Sequence, residues 1–125
     1  MAESLFQLRQ AQGVWVVQVL LSRMAQGPPV QELFEQLEQL VREKAARVVL
    51  DLGQVEFLSS FALGKLVVLQ RRTQQQGGWL RLAGLRPQLQ ELFRITMLDQ
   101  LFEVFPQVQE ALSEKSDSVS FAKPS

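Results

Sequence analysis

The sequence predicts a single α/β domain: a mixed, mostly parallel sheet of four to five strands with an N-terminal β-hairpin and about four helices. Three observations predict it. Apolar runs of strand length alternate with segments whose apolar residues recur every three or four positions. After the hairpin, each strand is separated from the next by a helix, the connection that parallel strands require. No linker and no internal repeat divides the 125 residues, a length that suits one core.

The elements follow in the order β-β-α-β-α-β-α-β-α. Leu5 to Gln10 and Val14 to Leu21 are apolar-rich segments joined by "AQG", where Gly13 can take the positive φ of a tight turn, so they read as antiparallel strands. "LSRMAQGPP" breaks the pattern, because residues before proline are pushed away from helix. From Val30, the positions Leu33, Phe34, Leu37, Leu40 and Val41 form one apolar stripe on a helix to about Lys44. "RVVLDL", Arg47 to Leu52, is a continuous apolar run suited to a strand buried on both faces. A second helix is expected from Ser60 to about Gln76, with Leu63, Leu66, Val67 and Gln70 on one side and Gly77-Gly78 closing it. "WLRLAGL" reads as a strand, and Pro87 opens a third helix to about Ile95. "LFEVF" is a short last strand, and "PQVQEALSEK" is a last helix entered through Pro106. Residues 1–112 are expected to form the domain, and residues 113–125 a polar, frayed tail.

Composition removes whole classes of function. Thirteen Lys and Arg balance thirteen Asp and Glu, so there is no bulk charge to draw the chain to nucleic acid or to an anionic membrane. Cysteine is absent, which excludes thiolate nucleophiles, disulfides and Cys-based zinc sites and is compatible with a reducing compartment. Histidine is absent too, and with it every Ser-His-Asp arrangement. "MAESLFQLRQ" has no basic region leading into an apolar core, and "VWVVQVLL" is far shorter than a membrane span, so a soluble cytoplasmic protein is expected, without membrane insertion. Neither a Walker A sequence nor a G-x-G-x-x-G occurs, and no cofactor or metal is expected.

Few polar residues invite chemistry. Asp51, at the end of a buried strand, suits either a phospho-accepting receiver aspartate or a turn residue. The first needs further carboxylates near the end of the first strand, which "LFQLRQAQ" does not supply, so the turn role is preferred. Glu56, Asp99 and Glu103 read as solvated or capping residues, and no spacing pairs them for acid and base work, so no catalytic residue is assigned. Gln70 to Arg72, with Arg81 and Arg86, read as solvated basic features and not as a nucleic-acid patch. In "VEFLSSFALGKL", Ser59 and Ser60 precede an apolar periodic run, and at least one of them suits an N-cap. Phe61 falls in the first turn, where it either offers a contact surface or folds back under the helix.

The segments "RVVLDLGQVEFLSSFALGKL", "GGWLRLAGL" and "ITMLDQLFEVFPQVQEAL" resemble a STAS domain, the module named after sulfate transporters and anti-sigma factor antagonists, over roughly Leu5 to Leu112. In antagonists of this family the strand-to-helix loop reads Asp-Ser-Ser/Thr-Gly-Leu-Gly, and the serine after the Asp is phosphorylated by the partner kinase. Ser60 falls at that serine and Ser59 at the Asp. Phe61 and Ala62 depart from the motif, whereas Leu63 and Gly64 match it. Downstream, "TMLDQLF" carries Met97 where the family has glycine. The resemblance implies a non-enzymatic, regulatory protein-binding module whose partner is an anti-sigma factor or GHKL-type serine kinase. It implies phosphorylation at Ser60, with Ser59 the lesser alternative, and a partner interface of Ser59, Ser60, Phe61 and Lys65. A scaffold or transport-accessory subunit without phosphorylation is the alternative within the family, and a small-ligand-binding α/β protein the alternative outside it.

Overall fold

The computed structural model describes residues 5–43 and 47–113. Strands β1 (Phe6–Ala11) and β2 (Val14–Val19) pair antiparallel, from Phe6↔Val19 to Ala11↔Val14. Gln12 and Gly13 between them have φ of 55° and 79°, the two positive values that a two-residue type I′ hairpin turn demands. Helix α1 (Pro28–Glu43) begins two residues before the expected Val30. Its two prolines stand in the first turn, where backbone N–H groups have no partner in the helix and proline loses nothing. The expected end at Lys44 lies outside the described residues.

Strands β4 (Arg47–Asp51), β6 (Trp79–Ala83) and β7 (Glu103–Phe105) complete the sheet in the order β1-β2-β4-β6-β7, with every pair after the hairpin parallel. Helices α2 (Ser60–Gln75), α3 (Pro87–Ile95) and α4 (Val108–Ser113) connect or follow them. Two further strands, β3 (Arg23–Met24) and β5 (Phe57–Leu58), form a separate parallel pair that the sequence reading placed in connections. Two residues are too few for a period to show. The last strand is three residues and not five, because Leu98–Gln100 form a 3-10 turn just before it. Helix α4 starts at Val108, two residues after Pro106, and residues 114–125, most of the expected tail, lie outside the described residues.

The sheet has two unequal faces. Val17, Val48, Leu50, Leu80 and Leu82 join the principal core with Leu33, Phe34 and Leu37 of α1, Leu66 and Leu69 of α2, and Leu89 and Phe93 of α3. Val14, Val16, Val49, Ala83 and Phe105 form a smaller core with Ala111 of α4. The run Val48-Val49-Leu50 therefore serves both cores in alternation, which is why β4 reads as continuously apolar. On α2 the buried positions are Ala62, Leu66, Leu69, Gln70 and Thr73, so the inward face is turned by roughly a sixth of a revolution from the one expected through Leu63 and Val67.

Arg81 and Glu103 correct the sequence reading. Arg81 is not on a solvated face. It is 2% exposed, in β6 on the smaller-core face. Its Nε donates to Glu103 Oε1 at 2.9 Å and its Nη1 to the Ala111 carbonyl at 2.7 Å. The guanidinium stacks 3.9 Å from the Trp79 ring centre. Glu103, directly opposite on β7, is its counter-ion. A single arginine thus joins two strands and the last described helix.

Candidate functional site

The loop from β4 to α2 is fixed at its root by backbone contacts. Asp51 Oδ1 accepts from the Gly53 N–H at 3.0 Å, the turn role expected of it. Leu52 N–H donates to the Ala83 carbonyl at 2.9 Å. Gly84, with φ of +78°, lies against Gly53, and a Cβ at either glycine would stand 3.2 Å from Asp51 Oδ1. Arg86, read from sequence as a solvated basic residue, is half-buried and donates from Nε to the Gly53 carbonyl at 3.0 Å.

Beyond the root the loop is tied to the chain ahead of α1. Glu56 N–H donates to the Ser22 carbonyl at 2.7 Å, β5 pairs with β3, and Ser59 N–H donates to the Met24 carbonyl at 2.9 Å. Ser59, with φ of −79° and ψ of 168°, is the N-cap of α2. Its Oγ accepts from the Ala62 N–H at 3.1 Å and donates to the Ala25 carbonyl at 3.0 Å, while its own carbonyl accepts from Leu63 N–H at 2.9 Å. Every polar atom of Ser59 is occupied. Ser60 is the first helical residue, exposed, and its hydroxyl makes no hydrogen bond among the described residues. The two adjacent serines therefore differ completely: one holds the helix, the other faces outward with its oxygen unused.

The remaining expected interface residues lie to one side. Phe61 is half-buried against the principal core, and the Lys65 ammonium sits 5.7 Å from its ring centre, so the aromatic covers the core edge while keeping part of its surface outward. Arg72, seven residues after Lys65, pairs with Glu38 of α1 at 3.7 Å, which identifies this flank as the one toward α1. Ser60, Gly64, Val68 and Arg71 follow at helical spacing on the outward face, and all four are exposed. On the opposite flank Gln70 Nε2 donates to the Leu101 carbonyl. No acidic side chain stands in the first turn of α2, so the positive end of the helix dipole is not already offset there.

Sequence reasoning missed two surface residues of this region. Phe57 in β5 is 37% exposed with the Arg23 guanidinium 4.5 Å above its ring, and Val68 is 39% exposed on the outward face of α2. "VEFL" gave no sign of Phe57's position, since its exposure follows from the two-residue pairing with β3. Among the described residues no three Asp, Glu, His or Cys side chains come together to hold a metal, and no helix is long and apolar enough to cross a membrane.

A five-stranded sheet with this helix order, and a serine-capped helix following its central strand, define a STAS domain. The family's sequence pattern matches residues 29–111, well over half of the chain, and the chain belongs to that family. Among curated proteins it is similar to a candidate anti-sigma factor antagonist of Thermotoga neapolitana, a TM1081 homolog, at 29% identity over 68 residues, covering 54% of this chain and 60% of that one. It is similar at 36% over 74 residues to BtrV of Bordetella bronchiseptica, likewise a candidate anti-sigma factor antagonist, covering 54% of this chain and 64% of the relative. The chain thus spans somewhat under two thirds of each relative's length. Among solved structures, an anti-sigma-factor antagonist (STAS) domain protein from Planctomyces limnophilus superimposes with a TM-score of 0.77 at 23% identity, covering 86% of this chain and 94% of that one. The Bacillus cell fate determinant SpoIIAA in its phosphorylated form gives 0.66 at 16%, covering 86% and 96%. At such identities the likeness carries the fold alone.

Proposed function

We propose that this STAS domain is a regulatory binding module of the anti-sigma factor antagonist kind, without catalytic activity of its own. In this reading it acts in the cytoplasm, with residues 1–112 as the domain and 113–125 as a polar tail. It engages an anti-sigma factor of the GHKL serine kinase type through the outward face of α2 and the loop before it. Ser60, Phe61 and Lys65 contribute contact and Ser59 holds the helix in place. Ser60 is the residue that the partner phosphorylates.

One observation carries this reading: of two neighbouring serines, Ser59 is bonded through all its polar atoms, and only Ser60 offers an exposed, unbonded hydroxyl at the start of a helix. The naming of two curated relatives as candidate anti-sigma factor antagonists supports the choice of partner class. A phosphate on Ser60 adds about −1.5 to −2 charges. Beside the helix N-terminus that charge is favourable by about 0.3–1 kcal/mol, so the fold tolerates it. Within a contact that must be desolvated, the same charge costs several kcal/mol, and 1.4 kcal/mol is already tenfold in affinity. Modification therefore releases the partner without unfolding the domain.

The test is intact-mass phosphorylation of the chain by candidate anti-sigma kinases with ATP, beside Ser60→Ala and Ser59→Ala. Gain of one phosphate that Ser60→Ala abolishes and Ser59→Ala retains is the expected result. A complex that forms with no phosphate gained would leave a STAS scaffold and remove the switch.

A further inference from the structure

A second surface, sharing no residue with the outward face of α2, lies between α3 and the outer edge of β7. A cavity of about 670 Å³ opens there at the carboxyl ends of β6 and β7, within the range of ligand-sized pockets and at the end of the sheet where open α/β folds bind ligands. Leu85, Phe93, Val104 and Pro106 supply apolar wall, and Glu91, Arg94 and Asp99 stand among its lining groups.

Two features decide what suits it. β7 is the last strand of the sheet among the described residues. Its Phe105 carbonyl accepts from Gly84 N–H at 3.0 Å, so Phe105 and Glu103 direct their backbone groups toward β6, and Val104 between them turns its N–H and C=O to the open edge. A partner strand can pair there with its side chains over the cavity. The charged lining is also unbalanced. Arg94 is engaged by Glu91 through both carboxylate oxygens, Nε lying 3.2 Å from Oε1. This pairing holds the Glu91 carboxyl below the usual carboxylate range and Arg94 above its own. Asp99 makes no hydrogen bond or close ion pair among the described residues, though its charge also acts on the Arg94 cation through space, and with Glu91 it gives the lining two negative charges against one positive.

We infer that this edge binds an extended segment of a partner protein that carries a large apolar side chain and, two residues along on the same side, a Lys or Arg. The apolar side chain fills the cavity, the backbone pairs with Val104, and the cation meets Asp99. Ile95 and Met97, which do not line the cavity, are 64% and 57% exposed on the connection leading to β7.

The experiment is an amide-shift NMR titration of the full chain with three capped hexapeptides. The first has a central phenylalanine with lysine two residues on, the second has glutamate in place of the lysine, and the third has serine in place of the phenylalanine. Saturable shifts at Val104, Asp99 and Gln90, which also lines the cavity, are expected with the lysine peptide. They should be weaker by roughly fivefold to tenfold with the glutamate peptide and absent with the serine one. Asp99→Lys should reverse the preference between lysine and glutamate, and on the unsubstituted chain added salt should weaken the lysine peptide alone. Absence of shifts at these residues, shifts elsewhere only, or a lysine preference indifferent to both Asp99→Lys and salt would overturn the inference. Equal binding of dodecylamine at the cavity would do so as well, by making it a small-amphiphile site without need of the strand edge.

Discussion

Glu103→Ala should destabilise the domain more than the exposure of Glu103 alone suggests. Its partner Arg81 is 2% exposed at the side chain, whereas Glu103 is 29% exposed, and they meet at 2.9 Å. Removing one member of a buried pair typically costs about 3–5 kcal/mol because the other charge is stranded. The solvent access of Glu103 and the Ala111 carbonyl that Arg81 keeps reduce this to about 2–3 kcal/mol. Arg81→Met removes the buried charge with much of the stem's bulk retained, leaves Glu103 with water, and takes one donor from the Ala111 carbonyl, a loss of about 1–2 kcal/mol. The pair together should cost no more than Arg81→Met alone, since Glu103 matters only while the cation is present. Urea unfolding followed by tryptophan fluorescence reports on this region directly, because Trp79 lies 3.9 Å beneath the guanidinium. With a urea dependence of about 1–3 kcal/mol per molar, the midpoint for Glu103→Ala should fall by about 0.7–3 M. If the two single losses simply add in the double variant, within about 0.5 kcal/mol, the account of a buried cation held by its counter-ion is wrong.

Further outcomes follow from local geometry. Ser59→Ala removes both a helix cap and the bond to the Ala25 carbonyl and should cost about 1.5–2 kcal/mol, whereas Ser60→Ala should stay within about 0.5 kcal/mol, as thermal unfolding can compare. Met97 has φ of 63°, and Met97→Gly should relieve about 1 kcal/mol and raise the melting temperature by about 3–6 °C; an unchanged or lower value would mean that the exposed side chain stabilises the turn. Gly84→Ala combines φ of +78° with a Cβ 3.2 Å from Asp51 Oδ1, so a loss of at least about 1–2 kcal/mol is expected in the same assay.

Legibility followed the length of each pattern. The stripe through Val30, Leu33, Phe34, Leu37 and Val41 and the run Val48-Val49-Leu50 are long enough for a period to appear: α1 carries the expected stripe from a start two residues early, and β4 begins at the expected Arg47 and ends one residue short. The pairing of β3 with β5 depends on contacts between distant segments and leaves no local trace. Arg81 misled for a related reason: an arginine in "WLRLAGL" looks solvated until the parallel crossover brings Glu103 and α4 onto it, beside Trp79 of its own strand. At the site, a cap before α2 was legible, but which serine serves was not. That choice is made by the carbonyls of Met24 and Ala25, more than thirty residues earlier. The substitution of Met97 for the family's glycine becomes intelligible only with the backbone in view, since the position is left-handed.

The contact of Gly53 with Gly84, clasped by Asp51 and Arg86, bears on the entropy of recognition. A loop already immobilised at both ends has little conformational freedom left to lose when a partner arrives, and ordering costs of about 0.5–1.5 kcal/mol for each flexible side chain are largely avoided. In the proposed reading, association through α2 should then resemble the docking of two rigid bodies, with a rate governed by orientation and charge. Any control over the complex would be exercised chiefly on how quickly the two bodies part.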